Sequence, residues 1–300
     1  MTSTPTIRLI AIDIDGTLLN PQSELTPRVE KAIRGALAQG IQIVLATGKS
    51  RSAARHFIEA LGIPSAGIFL QGLVLMDAQG KVLHEQTLAP DVVRRVITVA
   101  EDRGFQILMY SGLRILARRE TVETTAATIP YHEPAPEAAG PLQNYVGALP
   151  INKLLILGDP QAITALRWHL AHALGGSARL MQAGLPHMLE LLPSGASKGA
   201  MLARLLADLK IDPAQVLAIG DAENDIEMIQ MAGVGVAMAN AAAPVKAAAD
   251  WVTASNSEDG VALALEKYIT GLAPQPEPEP DGATVMMPAV RPTASTEKNA

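Results

Sequence analysis

Cysteine is absent from this chain of 300 residues. Disulfides, thiolate metal sites and cysteine nucleophiles are thereby excluded. Aromatic residues amount to only 3%, so the core has to be assembled from Ala, Leu, Ile, Val and Met. Basic runs are also missing. The net charge of -6 is spread along the chain, which argues against a nucleic-acid or anionic-membrane surface. No stretch approaches the roughly 20 apolar residues of a membrane span. The first ten residues lack the charged start and long apolar stretch of a signal peptide, so a cytoplasmic protein is expected. What remains is ample apolar material, 48% of the chain, enough for one large or two small domains.

The apolar run Ile7–Ile14 reads as a buried strand, interrupted by Arg8 and Asp13. Thr26 can cap a helix with Pro27 in its first position. Val29, Ile33, Ala36 and Leu37 share one face of that helix, and Gly40 sits where it should stop. Ile41–Ala46 is a second buried strand. Strand, helix and strand with short joins predict a parallel βαβ unit. The pattern returns late in the chain. Ser197 can cap a helix whose Met201, Leu202, Leu205, Leu206 and Leu209 share a face. Strand Val216–Ile219, a helix from about Asn224, strand Val234–Met238, strand Trp251–Thr253 and a final helix to about Ile269 follow.

The middle differs. From about His84 to His187, strand-like runs come in pairs: Phe105–Tyr110 with Leu113–Ala117, and Ala178–Gln182 with Met188–Leu192. Helices near Asp91–Asp102 and Gln161–Leu174 separate them, and Glu133–Gly140 reads as a loop. The expected fold class is therefore α/β: a Rossmann-like parallel-sheet core, residues 1–83 and 188–271, with an inserted α+β domain at 84–187. Residues 272–300 are rich in Pro and acidic residues and read as a disordered tail.

Four segments carry chemistry, each at a strand end or helix start, where open α/β sheets place ligands. Asp13 and Asp15 are two apart at the end of the first strand, so both can face one site. Gly16 permits a sharp turn after them. Thr47-Gly48-Lys49 offers a hydroxyl and backbone N–H groups suited to phosphate oxygens. Its "GKS" imitates a P-loop, but the first glycine of that motif would have to be Ile43, inside the strand. Gly195-Ala196-Ser197-Lys198-Gly199 formally matches a serine-hydrolase elbow. The last histidine, His187, precedes Ser197, so the triad of that fold cannot be completed in order; Lys198 is better read as a phosphate or carboxylate partner. Gly220-Asp221-Ala222-Glu223-Asn224-Asp225 brings further acids behind an apolar strand.

Asp13, Asp15, Asp221 and Asp225 thus converge with one lysine. Two like charges about 4 Å apart repel by about 4 kcal/mol at an effective dielectric near 20. A divalent cation is required, and an all-oxygen set without Cys or His points to Mg2+ rather than zinc. His169 and His172, three apart on an expected helix, lack a third ligand.

These four segments, in this order, resemble the haloacid dehalogenase-type hydrolases. DIDGTLL is similar to the family's DxDGTL, ATGK to its second motif, the lysine of SGASKG to its third and GDAENDIEM to its GDxxNDxxM. The insert resembles the large α+β cap of the Cof-type subgroup. The resemblance covers about residues 6–270 and implies a phosphatase for a small phosphorylated metabolite, a sugar phosphate foremost. It implies that Asp13 attacks phosphorus and that Asp15 is the acid and base. Thr47, Gly48 and Lys198 would bind phosphoryl oxygens, with Asn224 assisting. Mg2+ would sit on the Asp13 carboxylate, the Asp15 carbonyl and Asp221, with Asp225 in support. Two departures stand out: Lys49 where the family commonly has Arg, and Gln71-Gly72-Leu73 where it often has Asn-Gly-Ala. A phosphomutase and a non-catalytic phosphate-binding protein remain alternatives.

Overall fold

The computed structural model describes residues 6–182 and 185–269; the expected tail lies outside them. The chain opens with β1 (Leu9–Ile12), then α1 (Pro27–Ala38), β2 (Gln42–Leu45) and α2 (Arg51–Leu61). The Thr26 side chain accepts from the Val29 N–H, as expected of a cap, and Ser50 does the same for Ala53. A short antiparallel sheet follows: β3 (Gly67–Phe69), β4 (Val74–Met76) and β5 (Val82–Glu85).

The inserted region holds α3 (Pro90–Glu101), β6 (Gln106–Ser111), β7 (Arg114–Ala117), α4 (Val122–Ala126), β8 (Glu137–Ala138), β9 (Lys153–Leu157), α5 (Pro160–Leu174), β10 (Ala178–Gln182) and β11 (Met188–Pro193). The chain then returns through α6 (Lys198–Leu209), β12 (Val216–Gly220), α7 (Ile226–Met231), β13 (Val234–Ala237), α8 (Ala243–Ala248), β14 (Trp251–Val252) and α9 (Gly260–Tyr268).

The core sheet has the order β14-β13-β12-β1-β2, with every pair parallel. Alternation decides which residue meets which layer. Leu9, Ala11, Val44 and Ala218 pack with Met201, Leu202 and Leu205 of α6. Ile10, Ile12, Ile43 and Ile219 pack on the other face with Val29 and Ile33 of α1 and Leu265 of α9. From β1 the chain winds to β2 on one side and, after the insert, to β12 on the other. That reversal opens a crevice at the strand ends.

The insert forms a six-stranded sheet in the order β10-β11-β9-β6-β7-β8. The two expected hairpins are present, but a strand between them was not anticipated. Lys153–Leu157 is buried at every position, and its continuous apolar run carries no alternation to read. The segment expected as a loop, Glu133–Gly140, contains β8, a two-residue strand parallel to β7. The expected boundary at 187 falls between β10 and β11, which pair with each other. Ile107, Met109, Leu154, Ile156, Leu189 and Leu191 point to one side of this sheet and pack against α3 and α5. The opposite face carries Tyr110, Lys153, Leu155, Met188 and Glu190, which line a cavity shared with the core.

Candidate active site

Asp13 follows β1 directly, and its backbone N–H donates to the Ile219 carbonyl of β12 at 3.1 Å. The expected strand to Ile14 stops early because the chain turns here. Gly16 has φ +81°, and a Cβ at this position would collide with the Asp221 carboxylate. Only glycine allows the first and fourth motifs to approach so closely. Thr17 donates its hydroxyl to Asp221 Oδ1 at 2.8 Å. On the other side of Asp221, Asn240 donates to the Gly16 carbonyl at 2.8 Å.

Lys198 is the first residue of α6 and is 1% exposed. Its Nζ donates to Asp13 Oδ1 at 2.6 Å and to Asp225 Oδ1 at 2.7 Å. The second Asp225 oxygen accepts the N–H groups of Asp221 and Ala222 at 3.1 and 3.0 Å. Asp225 is therefore a brace: it holds both the lysine and the loop that carries Asp221. Ser197 caps α6 by accepting from Ala200 at 3.0 Å, and its hydroxyl donates to Glu227. That is the work of a helix cap rather than of a nucleophile.

Burial drives the Asp13 carboxyl up to about 8, with Lys198 pulling it down and Asp225 adding to the rise. Burial also lifts Asp221 to about 6, against the hydrogen bond from Thr17. For Lys198, burial acts downward, but Asp13 and Asp225 outweigh it and hold the amine above its ordinary value. A charged lysine among acids is the stable arrangement.

Asp15 points elsewhere. Its carboxylate pairs with Lys49 Nζ at 3.2 Å, and half of its side chain is exposed. Lys49 also donates to the Tyr131 carbonyl of the insert at 3.0 Å. Only 4% exposed, it ties Asp15 to the cap. The sequence marked Lys49 only as a departure; a lysine three residues past the apolar run that ends at Ala46 was the available signal. Thr47 is fully buried, and its hydroxyl accepts from the Lys49 N–H at 3.1 Å. Asn224 does not meet the lysine. Its Nδ2 donates to Gln71 Oε1 at 2.6 Å, and the Gln71 amide lies against Gly48. Gln71 thus joins the second and fourth motifs from a left-handed backbone, φ +63°.

A cavity of about 350 Å³ opens over this constellation. Asp13, Asp15, Gly48, Lys49, Lys198 and Asn224 line its core side. Thr47, Asp221 and Asp225 stand outside that lining.

Carboxylate oxygens of Asp13, Asp221 and Asp225 lie within 4.8 Å of one another. The donor set is all oxygen, of the kind a hard divalent cation takes. Because Asp225 is committed to Lys198 and two backbone N–H groups, Asp13 and Asp221 are the carboxylates with oxygens to offer. His169 and His172 are not in this cluster; the His172 ring stacks on Trp168 at 5.1 Å.

A family profile described as haloacid dehalogenase-like hydrolase matches residues 10–265. The chain belongs to the haloacid dehalogenase-like hydrolases. Its α+β insert between the second and third motifs makes it a Cof-type member. This hydrolase is 34% identical over 274 residues to "Endoribonuclease YBEY, chloroplastic" of Arabidopsis thaliana. That match covers 88% of the chain but 47% of the relative, so the chain spans about half its length. It is 30% identical over 288 residues to "Phosphatase YwpJ" of Bacillus subtilis (strain 168), covering 88% of this chain and 100% of that one. A solved haloacid dehalogenase-like hydrolase from Bacteroides thetaiotaomicron superposes with a TM-score of 0.81 at 31% identity. It covers 87% of this hydrolase and 99% of that chain. No described helix is long and apolar enough to cross a membrane.

Proposed function

We propose that this hydrolase is a Mg2+-dependent phosphatase that cleaves a small-molecule phosphate monoester, foremost a sugar phosphate, through an aspartyl-phosphate. The observation that carries the reading is the buried chain Asp13–Lys198–Asp225, whose Asp13 and Lys198 line a cavity between core and cap with Asp225 behind them. A buried carboxylate held on one oxygen by a lysine keeps the other for attack. A relative aligned over its whole length is named a phosphatase.

Asp13 attacks phosphorus, and the bond from phosphorus to the ester oxygen breaks. Asp15, exposed to the cavity, gives that oxygen a proton. It then takes one from the water that cleaves the aspartyl-phosphate and returns Asp13. Lys198, the Thr47 hydroxyl and the Gly48 N–H hold the phosphoryl oxygens. Asn224 and Gln71 fix the loop edges beside them. Asp13, the Asp15 carbonyl and Asp221 would hold Mg2+, with Asp225 behind them. When bound, such a cation would supply positive charge to offset that of the phosphate. Positioning and charge neutralisation supply most of the acceleration in such a site.

The test is release of inorganic phosphate from sugar, nucleotide and cofactor phosphates, with Mg2+ and with excess chelator, for wild type and Asp13→Asn. Metal-dependent release that vanishes in Asp13→Asn is expected. A folded protein that releases nothing from any ester would leave the binding-protein reading, and phosphate moved between two sugar positions without release would identify a mutase.

A further inference from the structure

Two consecutive core residues, Lys49 and Ser50, are held by one short stretch of the cap, residues 131–133. The Glu133 carboxylate accepts the Ser50 N–H through Oε1 at 2.7 Å. Ser50 is the N-cap of α2, and its hydroxyl accepts from Ala53 at 3.2 Å. A carboxylate at this end of an 11-residue helix is favoured by the helix dipole as well as by the hydrogen bond. Beside it, Lys49 Nζ donates to the Tyr131 carbonyl at 3.0 Å and lies 5.5 Å from the centre of the Tyr131 ring. His132, between the two cap contacts, takes a left-handed backbone, φ +55°. A non-glycine residue keeps that conformation only where its surroundings impose it.

The same lysine holds Asp15. Its Nζ is 3.2 Å from Asp15 Oδ1, with the lysine side chain 3% exposed and the aspartate 50%. Residues 131–133 belong to neither crossing between core and cap. The first crossing runs from Gln86, whose N–H donates to the Leu73 carbonyl of the core, to Leu88, whose N–H donates to the Ile151 carbonyl of the cap. The second lies between β11 and α6. A cap that swings on two such crossings makes and breaks the contacts at 131–133. With the cap shut, the Lys49 ammonium is fixed by a carbonyl and a ring of the cap as well as by Asp15. With the cap raised it keeps the half-exposed carboxylate, and an ion pair of that kind orders little.

We propose that Glu133 is a positioning residue through which closing of the cap sets Asp15 for proton transfer. Glu133 seats the cap on the start of α2. The seat brings the Tyr131 carbonyl onto Lys49, and Lys49, so fixed, holds the Asp15 carboxylate where it serves as acid and base. The inference rests on the phosphatase reading, which gives Asp15 that role, and adds to it a device that withholds proton transfer while the cap is open.

The test is pre-steady-state cleavage of p-nitrophenyl phosphate with Mg2+, following p-nitrophenol by absorbance and phosphoenzyme by intact mass. p-Nitrophenolate leaves without a proton, so the first step asks little of Asp15, whereas attack of water on the aspartyl-phosphate needs it as base. Glu133→Ala should leave the first turnover close to wild type and slow phosphoenzyme decay about ten- to a hundredfold, through loss of a hydrogen bond to a charged group and a misplaced base. Glu133→Gln keeps an acceptor for the Ser50 N–H and should recover part of that rate. Lys49→Met should slow the same step, and the double variant with Glu133→Ala should be little slower than Lys49→Met alone, because both act through one contact. Both steps slowed alike, KM raised with neither step slowed, or fully additive losses in the double variant would reduce Glu133 to a docking contact and overturn the inference. A folded wild type that releases no p-nitrophenol would sink the phosphatase reading, and this one with it. Should Glu133→Ala fail to fold, Glu133→Gln decides by the same two rates.

Discussion

Lys198→Met removes the cation that joins Asp13 to Asp225. The lysine is 1% exposed, Asp13 5% and Asp225 0%, so water cannot take its place. Methionine fills the volume of the stem, which isolates the loss of charge from the making of a cavity. Oxygens of the two carboxylates come within 4.8 Å, so their repulsion is about 3 kcal/mol at an effective dielectric near 20. Breaking a buried pair by removing one partner costs about 3–5 kcal/mol, and that is the loss in chelator approached well above pH 8, where Asp13 is ionised. The pH dependence has a definite sign. Asp13 is held at about 8, above its ordinary 3.8, and Lys198 is the influence that lowers it. Without the lysine the carboxyl moves further up. A carboxyl raised in the native state favours folding below its unfolded pKa and loses that advantage as pH rises through the native one. The Asp13 part of the penalty should therefore be absent near pH 5 and develop as pH rises from about 8 towards about 10. Urea midpoints followed by circular dichroism at these pH values, with chelator, measure it. Equal midpoints for variant and wild type at the higher pH, or a penalty that grows on acidification, would refute the buried-chain argument.

Gly16→Ala should cost about 1–2 kcal/mol for its left-handed backbone and displace Asp221, so half-saturating Mg2+ in a phosphate-release assay should rise. Apparent Mg2+ affinity, read from thermal shifts, should increase from about pH 5 to 8, by about tenfold per unit between about 6 and 8 and more steeply below, because Asp13 at about 8 and Asp221 at about 6 must each release a proton to bind metal; a flat profile would contradict this. Lys49→Met should cut kcat about tenfold or more by freeing Asp15, and Lys49→Arg should restore most of it in steady-state assays. Asp15→Asn should accumulate phosphoenzyme detectable by intact mass; its absence under Mg2+ and substrate would count against the covalent route.

Much of the core was legible because its signals are local. Thr26 and Ser197 announced their helices, and strands ending in Asp13, Thr47 and Asp221 needed only an apolar run followed by a turn. The insert was less legible. Lys153–Leu157 has no alternation, and β8 is two residues held by pairing with β7. Neither is encoded in its own segment; each exists because a neighbouring strand completes its hydrogen bonds.

By itself, the sequence picked out the residues to which the proposed chemistry is assigned, since motif spacing and strand ends are properties of a chain read in order. Tertiary structure alone decided how they divide the work. It turned Asp15 toward Lys49 and the cap, bound Asp225 to Lys198 and the Asp221 loop, and set Gln71 between Gly48 and Asn224. It also brought Glu133 and Glu190, 57 residues apart in sequence, to the lining of one cavity. The reason is physical. Burial and charge pairing depend on distances between segments that no local pattern records, and they exist only once the sheets have closed over the site.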